Sequence, residues 1–365
     1  MSDKRIAVIC PFRYSEIAAD WTTPYSWIFD ALKKKNFKIL RHKDLKFGRI
    51  ERPRNDDSAD WLIYDFDGEY SGEESVDVAI YNHCDIHEID RQDSKIKSDH
   101  RWIFKPTAPT DFHVTLDELG FGSYSSITYD KPAFENVSQG EVDTFFASVV
   151  ETWINSKSSK WGENFFEKDG ELKEDDFYLI LGQCGGDSVV NRQDFGSYFD
   201  KVEAIITELD KIDDRPIVVK LHPYTNGGES SSASSVDWIK HFTKKFTSIN
   251  PDKVKVYSNF SSVHEFIPHA RCVFVGNSGA GYEVMMHSKP MVSFCYPEYH
   301  WITYDLRKIC DISCAIRTRD WFSPDLSDRF LYWFSEKYCI YDLDTACTRV
   351  DDLLEENIIR VVKFL

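Results

Sequence analysis

No stretch of about 18 uncharged apolar residues occurs in the 365-residue chain, so nothing in it reads as a membrane-spanning helix. Positive charge is short as well, with 44 Lys and Arg against 61 Asp and Glu and a net charge of -17. That balance excludes a surface that gathers nucleic acid nonspecifically. Paired CxxC knuckles are missing, and the nine cysteines are scattered, mostly within apolar runs, as reduced core thiols are. His83, Asp85 and His87 in YNHCDIHEID lack a second ligand pair, so neither a metal nor another cofactor is expected. The opening MSDKRIAVIC enters an apolar strand without the charged region and longer apolar core of a secretion leader. A cytoplasmic protein is expected, at most peripheral to a membrane.

Apolar residues, by contrast, are plentiful: 42% hydrophobic and 15% aromatic suffices for sizeable cores, and the length suits two ordinary domains. Short apolar runs alternate with amphipathic stretches, the pattern of parallel sheets covered by helices on both faces. In the first half, strands are expected at Ile6–Cys10, Phe37–Leu40, Asp60–Tyr64 and Val76–Tyr81, with helices at Tyr25–Lys35 and Gly140–Asn155. The polar, charged stretch Ser156–Asp176 reads as the boundary. Beyond it, strands are expected at Phe177–Leu181, Pro216–Leu221, Val254–Tyr257 and Cys272–Val275, with helices at Tyr198–Lys211, Ser235–Phe246 and Ser262–His269. The fold class expected is α/β with two doubly wound units, residues 1–165 and 176–322, and terminal helices over 323–365.

Three strands of the second half end in polar exits. CVFVGNSGAGYEVMMHSKPMVSF delivers a buried strand into Asn277, Ser278 and Gly279, with Glu283 one helical turn further on. The amides of such a turn and its Ser hydroxyl suit an anionic phosphate, while Glu283 suits ribose or sugar hydroxyls. A plain strand-turn-helix junction capped by Asn277 or Ser278 fits the same residues. IVVKLHPYT ends its strand at His222-Pro223, which holds an imidazole at the carboxyl edge of a sheet. LILGQCGGD is the third exit, and carries Gln183.

The order strand-GQxxxD, KxHP, S-hydrophobic-HE and then NSGAGYEVMMHSKPMVSF resembles the C-terminal half of the bacterial capsule-polysaccharide glycosyltransferases that include the retaining β-Kdo transferases. The resemblance covers about Phe177–Trp301. It implies a GT-B fold: two Rossmann-like domains whose parallel sheets face across a cleft, with C-terminal helices crossing back to the first domain. It also implies that His222, Pro223, Asn277, Ser278 and Glu283, together with Gly279 of the turn and Gln183 and Lys220 of the matching motifs, hold a nucleotide-sugar donor. A CMP-linked acidic sugar such as CMP-Kdo is the donor implied, and a glycan or glycolipid is the acceptor. The chain departs from the family in Asn277, where a second hydroxyl residue commonly stands, and in Leu221, where proline commonly precedes the histidine.

In the first half, LDELGFGSYSS places Asp117 and Glu118 beside Gly120-Phe121-Gly122. The segment resembles the acid-Gly-Phe stretch of the β-Kdo transferases, whose carboxylate attacks the donor anomeric carbon. Retaining transfer by double displacement needs such a nucleophile, and spacing alone does not choose between the two acids. Asp65 and Asp67 in YDFDGEY form a rival pair that could also hold a divalent metal with a diphosphate, although the favoured function requires no metal and an acidic turn is the simpler reading. Three functions remain open at this level: a glycosyltransferase using a CMP-, UDP- or GDP-sugar, a sugar-nucleotide epimerase or hydrolase of the same fold, and a noncatalytic glycan-binding module.

Overall fold

The computed structural model describes residues 5–9, 16–17, 22–42, 46–47, 66–72, 75–82, 96–159, 172, 174–183, 197–222, 235–257 and 261–355. The chain forms two units, one of Met1–Thr107, Phe112–Ser126 and Phe334–Leu365, the other of Ala108–Asp111 and Ile127–Trp333.

Strands of the first unit are β1 (Arg5–Ile9), β2 (Glu16–Ile17), β3 (Phe37–His42), β4 (Lys46–Phe47), β5 (Gly68–Tyr70), β6 (Val76–Asn82), β7 (Ser98–Pro106) and β8 (Val114–Asp117). Six of them form a sheet in the order β5-β3-β1-β6-β7-β8, parallel except for the antiparallel pair β7-β8, while β2 and β4 pair separately. The helix Thr22–Lys34 buries Ile28, Ala31 and Leu32 in one core with Ala346, Val350 and Leu353 of the helix Leu343–Glu355. Apolar residues three to four apart give both helices a single buried face.

The second unit contains β9 (Phe177–Leu181), β10 (Ile217–Lys220), β11 (Val254–Tyr257), β12 (Ala270–Val275), β13 (Met291–Ser293) and β14 (Tyr304–Asp305). Their order is β11-β10-β9-β12-β13-β14, and every neighbouring pair is parallel. Tyr178, Ile180, Ile217, Val219, Cys272 and Phe274 share a core with Val202, Ile205, Ile206 and Leu209 of the helix Tyr198–Ile212. The alternate residues Leu179, Leu181, Val218 and Val275 are buried too. A strand covered on both faces reads as an unbroken apolar run, which is why FYLIL was legible. Two mostly parallel, Rossmann-like sheets with helices make this the α/β class expected, with the components of a GT-B fold.

Several boundaries differ from the sequence reading. Ahead of the boundary expected near residue 165, and apart from the short excursion Ala108–Asp111, the chain passes from the first unit to the second after Ser126. Residues after it are held by the second unit: Trp301 Nε1 donates to the Ile127 carbonyl at 2.8 Å, Arg329 Nη2 donates to Gln139 Oε1 at 2.7 Å, and Phe134 meets Phe330 edge-on. The terminal helices are split as well, since Pro324–Trp333 stays with the second unit and Leu343–Glu355 joins the first. β7 and β8 are further strands that the reading of apolar runs did not include. Ser262–His269 is two 3-10 turns, Val263–Glu265 and Ile267–His269, because Pro268 has no N–H to continue a helix. The strand expected at Asp60–Tyr64 lies outside the described residues.

Candidate functional site

β9 is followed in sequence by β10 and β11 on one side of its sheet and flanked by β12 on the other. Connections leaving the carboxyl ends of β9 and β12 therefore run to opposite faces, which opens a crevice at this switch point. All three polar exits meet there.

Gln183 and Asn277 face each other across the crevice and exchange two hydrogen bonds. Gln183 Nε2 donates to Asn277 Oδ1 and Asn277 N donates to Gln183 Oε1, both at 2.9 Å. Room for this pair comes from Gly276, where a Cβ would collide with Gln183 Oε1 and lie 2.9 Å from Tyr198 Cε2. Tyr198 is fixed in turn by its hydroxyl bond to the Leu181 carbonyl at 2.8 Å. On the other flank, Gly182 N donates to the Lys220 carbonyl at 2.8 Å, bringing His222 beside Gln183. The His222 side chain is half-buried, and Pro223 lies outside the described residues.

The following turn is also held from within. Ser278 Oγ accepts the Ala280 amide at 3.2 Å, so the capping alternative is realised in part, and the Ser278 carbonyl accepts the Tyr299 hydroxyl at 2.6 Å. Gly281 lets that tyrosine through, since a Cβ there would collide with its ring. Amides of Asn277, Ala280, Gly281 and Tyr282 are all engaged inside the turn. The amides of this turn are thus spent largely on holding the turn itself rather than presented as a whole helix N-terminus.

Beneath this edge sits a buried charge cluster. Lys220 is 2% exposed, and burial pulls its ammonium down to about 8 against the opposing charges of Glu265 and Glu283. Glu283 is itself buried at 6% exposure. Lys220 thus lies in the field of two carboxylates, Glu265 first and Glu283 second, which the motif alone did not reveal. Alongside lies a histidine pair missed in the sequence: His264 Nδ1 is 2.9 Å from His287 Nε2, and His264 Nε2 is 2.9 Å from the Ser158 carbonyl. A carbonyl can only accept, so His264 carries its proton on Nε2 and takes one from His287 on Nδ1. Burial lowers both imidazoles, His287 to about 3.

The acid pair belongs to the first unit, and its two members differ. Asp117 is fully buried and collects the amides of Leu119, Gly120 and Ser126, the hydroxyls of Ser125 and Ser126, and that of Tyr338. A carboxylate has about four lone-pair sites, so Asp117 is saturated and organises the turn through Gly120 to Ser126. Tyr338 reaches it from a π-helical turn, Phe334–Tyr338, that closes the preceding helix. The Glu118 side chain is 29% exposed, with Arg349 Nη2 at 4.0 Å. Of the rival acids, Asp67 accepts the Ile39 amide at 2.7 Å and serves strand pairing. Asp65, His83, Asp85 and His87 lie outside the described residues. Among the described residues no group of three or more His, Cys, Asp or Glu side chains is placed to hold a metal.

Residues 147–309 match the family described as capsule polysaccharide biosynthesis protein. The match contains the whole switch-point site and coincides with the stretch whose motifs carried the resemblance. Solved structures with a similar course include a Thermosulfurimonas dismutans KpsC β-Kdo 2,7 transferase, at 11% identity and a TM-score of 0.48 over 96% of this chain and 100% of that one. The KpsC β-Kdo 2,4 transferase of the same organism gives 15% identity and a TM-score of 0.49 over 73% and 81%. An S. aureus MnaA structure with UDP gives 10% identity and a TM-score of 0.37 over 96% of each chain. A comparison with curated proteins gives no match.

Proposed function

We propose that the chain is a glycosyltransferase of surface-polysaccharide assembly that takes its sugar from a nucleotide donor bound at the β9/β12 edge. The observation that carries this reading is the Gln183–Asn277 pair, which pins the turn leading into Ser278 and Gly279 at the switch point, with the His222 backbone close to Gly182. Hydroxyl, amide and imidazole donors at that edge suit a phosphate, and the family match over 147–309 supports a polysaccharide product. The donor proposed is a CMP-linked acidic sugar such as CMP-Kdo, used in the cytoplasm. The acceptor is a glycan or glycolipid that a peripherally bound protein can meet, and no helix among the described residues is long and apolar enough to cross a membrane.

For the chemistry we assign Glu118 rather than Asp117 as the nucleophile, because only Glu118 retains solvent access. Its carboxylate oxygen bonds to the anomeric carbon as the bond to the phosphate oxygen breaks and CMP departs with that electron pair. The acceptor hydroxyl then attacks the same carbon, loses its proton, and frees Glu118 with overall retention.

Incubation with CMP-Kdo, with and without a capsular oligosaccharide acceptor, tests the proposal by product analysis. Acceptor-dependent glycan extension with release of CMP is expected. Hydrolysis or epimerisation that ignores the acceptor would replace the transferase reading, and turnover of UDP- or GDP-sugars alone would replace the CMP assignment.

A further inference from the structure

A second recess opens on the second unit at the carboxyl ends of β13 and β14, next to the switch point, where its Phe294 ring lies 5.5 Å from that of Tyr198. It encloses about 110 Å³ between Lys201, Phe294, Tyr296, Asp305, Arg307 and Ile309. A water occupies roughly 30 Å³ of liquid, so the recess accommodates a carboxylate or phosphate and a few attached carbons.

Its walls are chemically divided. Lys201, in the first turn of the helix Tyr198–Ile212, is fixed by donating to the Phe294 carbonyl at 3.3 Å. Arg307 pairs through Nε with Asp305 and places its guanidinium carbon 4.6 Å from the centre of the Tyr296 ring. Tyr296 adopts φ +49°, a left-handed conformation that costs a bulky residue energy and is kept where the surroundings demand it. Its ring lies 4.2 Å from that of His300, which lies 4.1 Å from that of Trp301, so the tyrosine belongs to a packed aromatic row. Burial keeps the His300 imidazole neutral, with its pKa lowered to about 4. Two cations and one carboxylate thus stand at an apolar floor and an aromatic wall, in a chain whose overall charge is -17.

We propose that this recess binds an anionic saccharide, its carboxylate or phosphate between Lys201 and Arg307 and its ring carbons against the apolar floor of Phe294 and Ile309. A guanidinium matches either anion with paired N–H bonds, and Tyr296 holds that guanidinium in place through its ring. None of the lining residues is among those assigned to the nucleotide, although Phe294 packs on Tyr198 at the edge of that site.

Saturation-transfer NMR and calorimetry on the full chain provide the test, with D-glucuronate, glucose 6-phosphate, inorganic phosphate and glucose as probes. Glucuronate or glucose 6-phosphate should bind and glucose should not, which also tells a sugar acid from a sugar phosphate. Affinity should fall about tenfold or more in Lys201→Gln, Arg307→Lys and Tyr296→Leu, the loss expected for a charged bond or a ring contact. His222→Ala should leave it unchanged. Equal binding of glucose, unchanged affinity in the folded Lys201→Gln and Arg307→Lys proteins, or loss in His222→Ala alone would each overturn the site. Inorganic phosphate binding as tightly as both sugars would overturn its carbohydrate character.

Discussion

Gly276→Ala probes the bracket on which the donor site rests. The added methyl would collide with Gln183 Oε1 and approach Tyr198 Cε2 to 2.9 Å, and neither neighbour can yield freely. Tyr198 is buried and tied to the Leu181 carbonyl, so Gln183 must leave. Its departure costs the two amide bonds to Asn277, at about 1 kcal/mol each, and residual overpacking adds about 1–2 kcal/mol. A total loss of about 3–4 kcal/mol is expected, read as a lower urea midpoint at constant m-value. Nucleotide affinity should fall with it, because the Asn277–Ser278 turn loses its fixed position. Gln183→Ala removes the bonds without the clash and should lose about 2 kcal/mol. A Gly276→Ala protein with the parental midpoint and parental nucleotide affinity would refute the idea that the bracket sets the turn.

The two acids should separate by variant. Asp117→Asn turns an amide donor toward a shell of donors and should cost about 3 kcal/mol or more in urea unfolding, whereas Glu118→Gln should melt like the parent yet lose on the order of 10³-fold in turnover; the reverse pattern would return the nucleophile to Asp117. The His264–His287 pair predicts a pH effect of definite sign. Both folded-state values lie below the ordinary 6.5, so the unfolded chain takes up protons first as pH falls. Their contribution is complete above about pH 6.5 and is lost toward the His287 value of about 3, by up to about 1.4 kcal/mol per pH unit for each imidazole. Urea midpoints from pH 7.5 to 4 should therefore fall more steeply in the parent than in a His264→Asn/His287→Asn protein, and equal slopes would contradict the reading.

Much of the second unit was legible because its strands are buried on both faces and so appear as unbroken apolar runs ending in Gly, His or Asn. β7 and β8 were not, since Pro106 and Pro109 and the polar residues around them look like turns while the ladder Ile103–Pro106 against Val114–Asp117 is set by pairing across the sheet. The site divides in the same way. Residue types at the edge were readable as Gln183, His222 and Ser278, but the bond joining Gln183 to Asn277 spans 94 positions. Asp117 looked like a free acid because one of its donors, Tyr338, lies 221 residues away. The charges of Glu265 and Glu283 near Lys220 and the chain from His287 through His264 to Ser158 arise from packing between elements, which local periodicity does not encode.

Calorimetric titration of CMP into the parent and into a His222→Ala/Ser278→Ala protein tests the donor site most directly. The account predicts binding to the parent and a loss of about 1.5–3 kcal/mol in the folded double variant, roughly a 10- to 150-fold weaker constant. Equal CMP affinity in the two proteins, or no CMP binding to the parent, would contradict it.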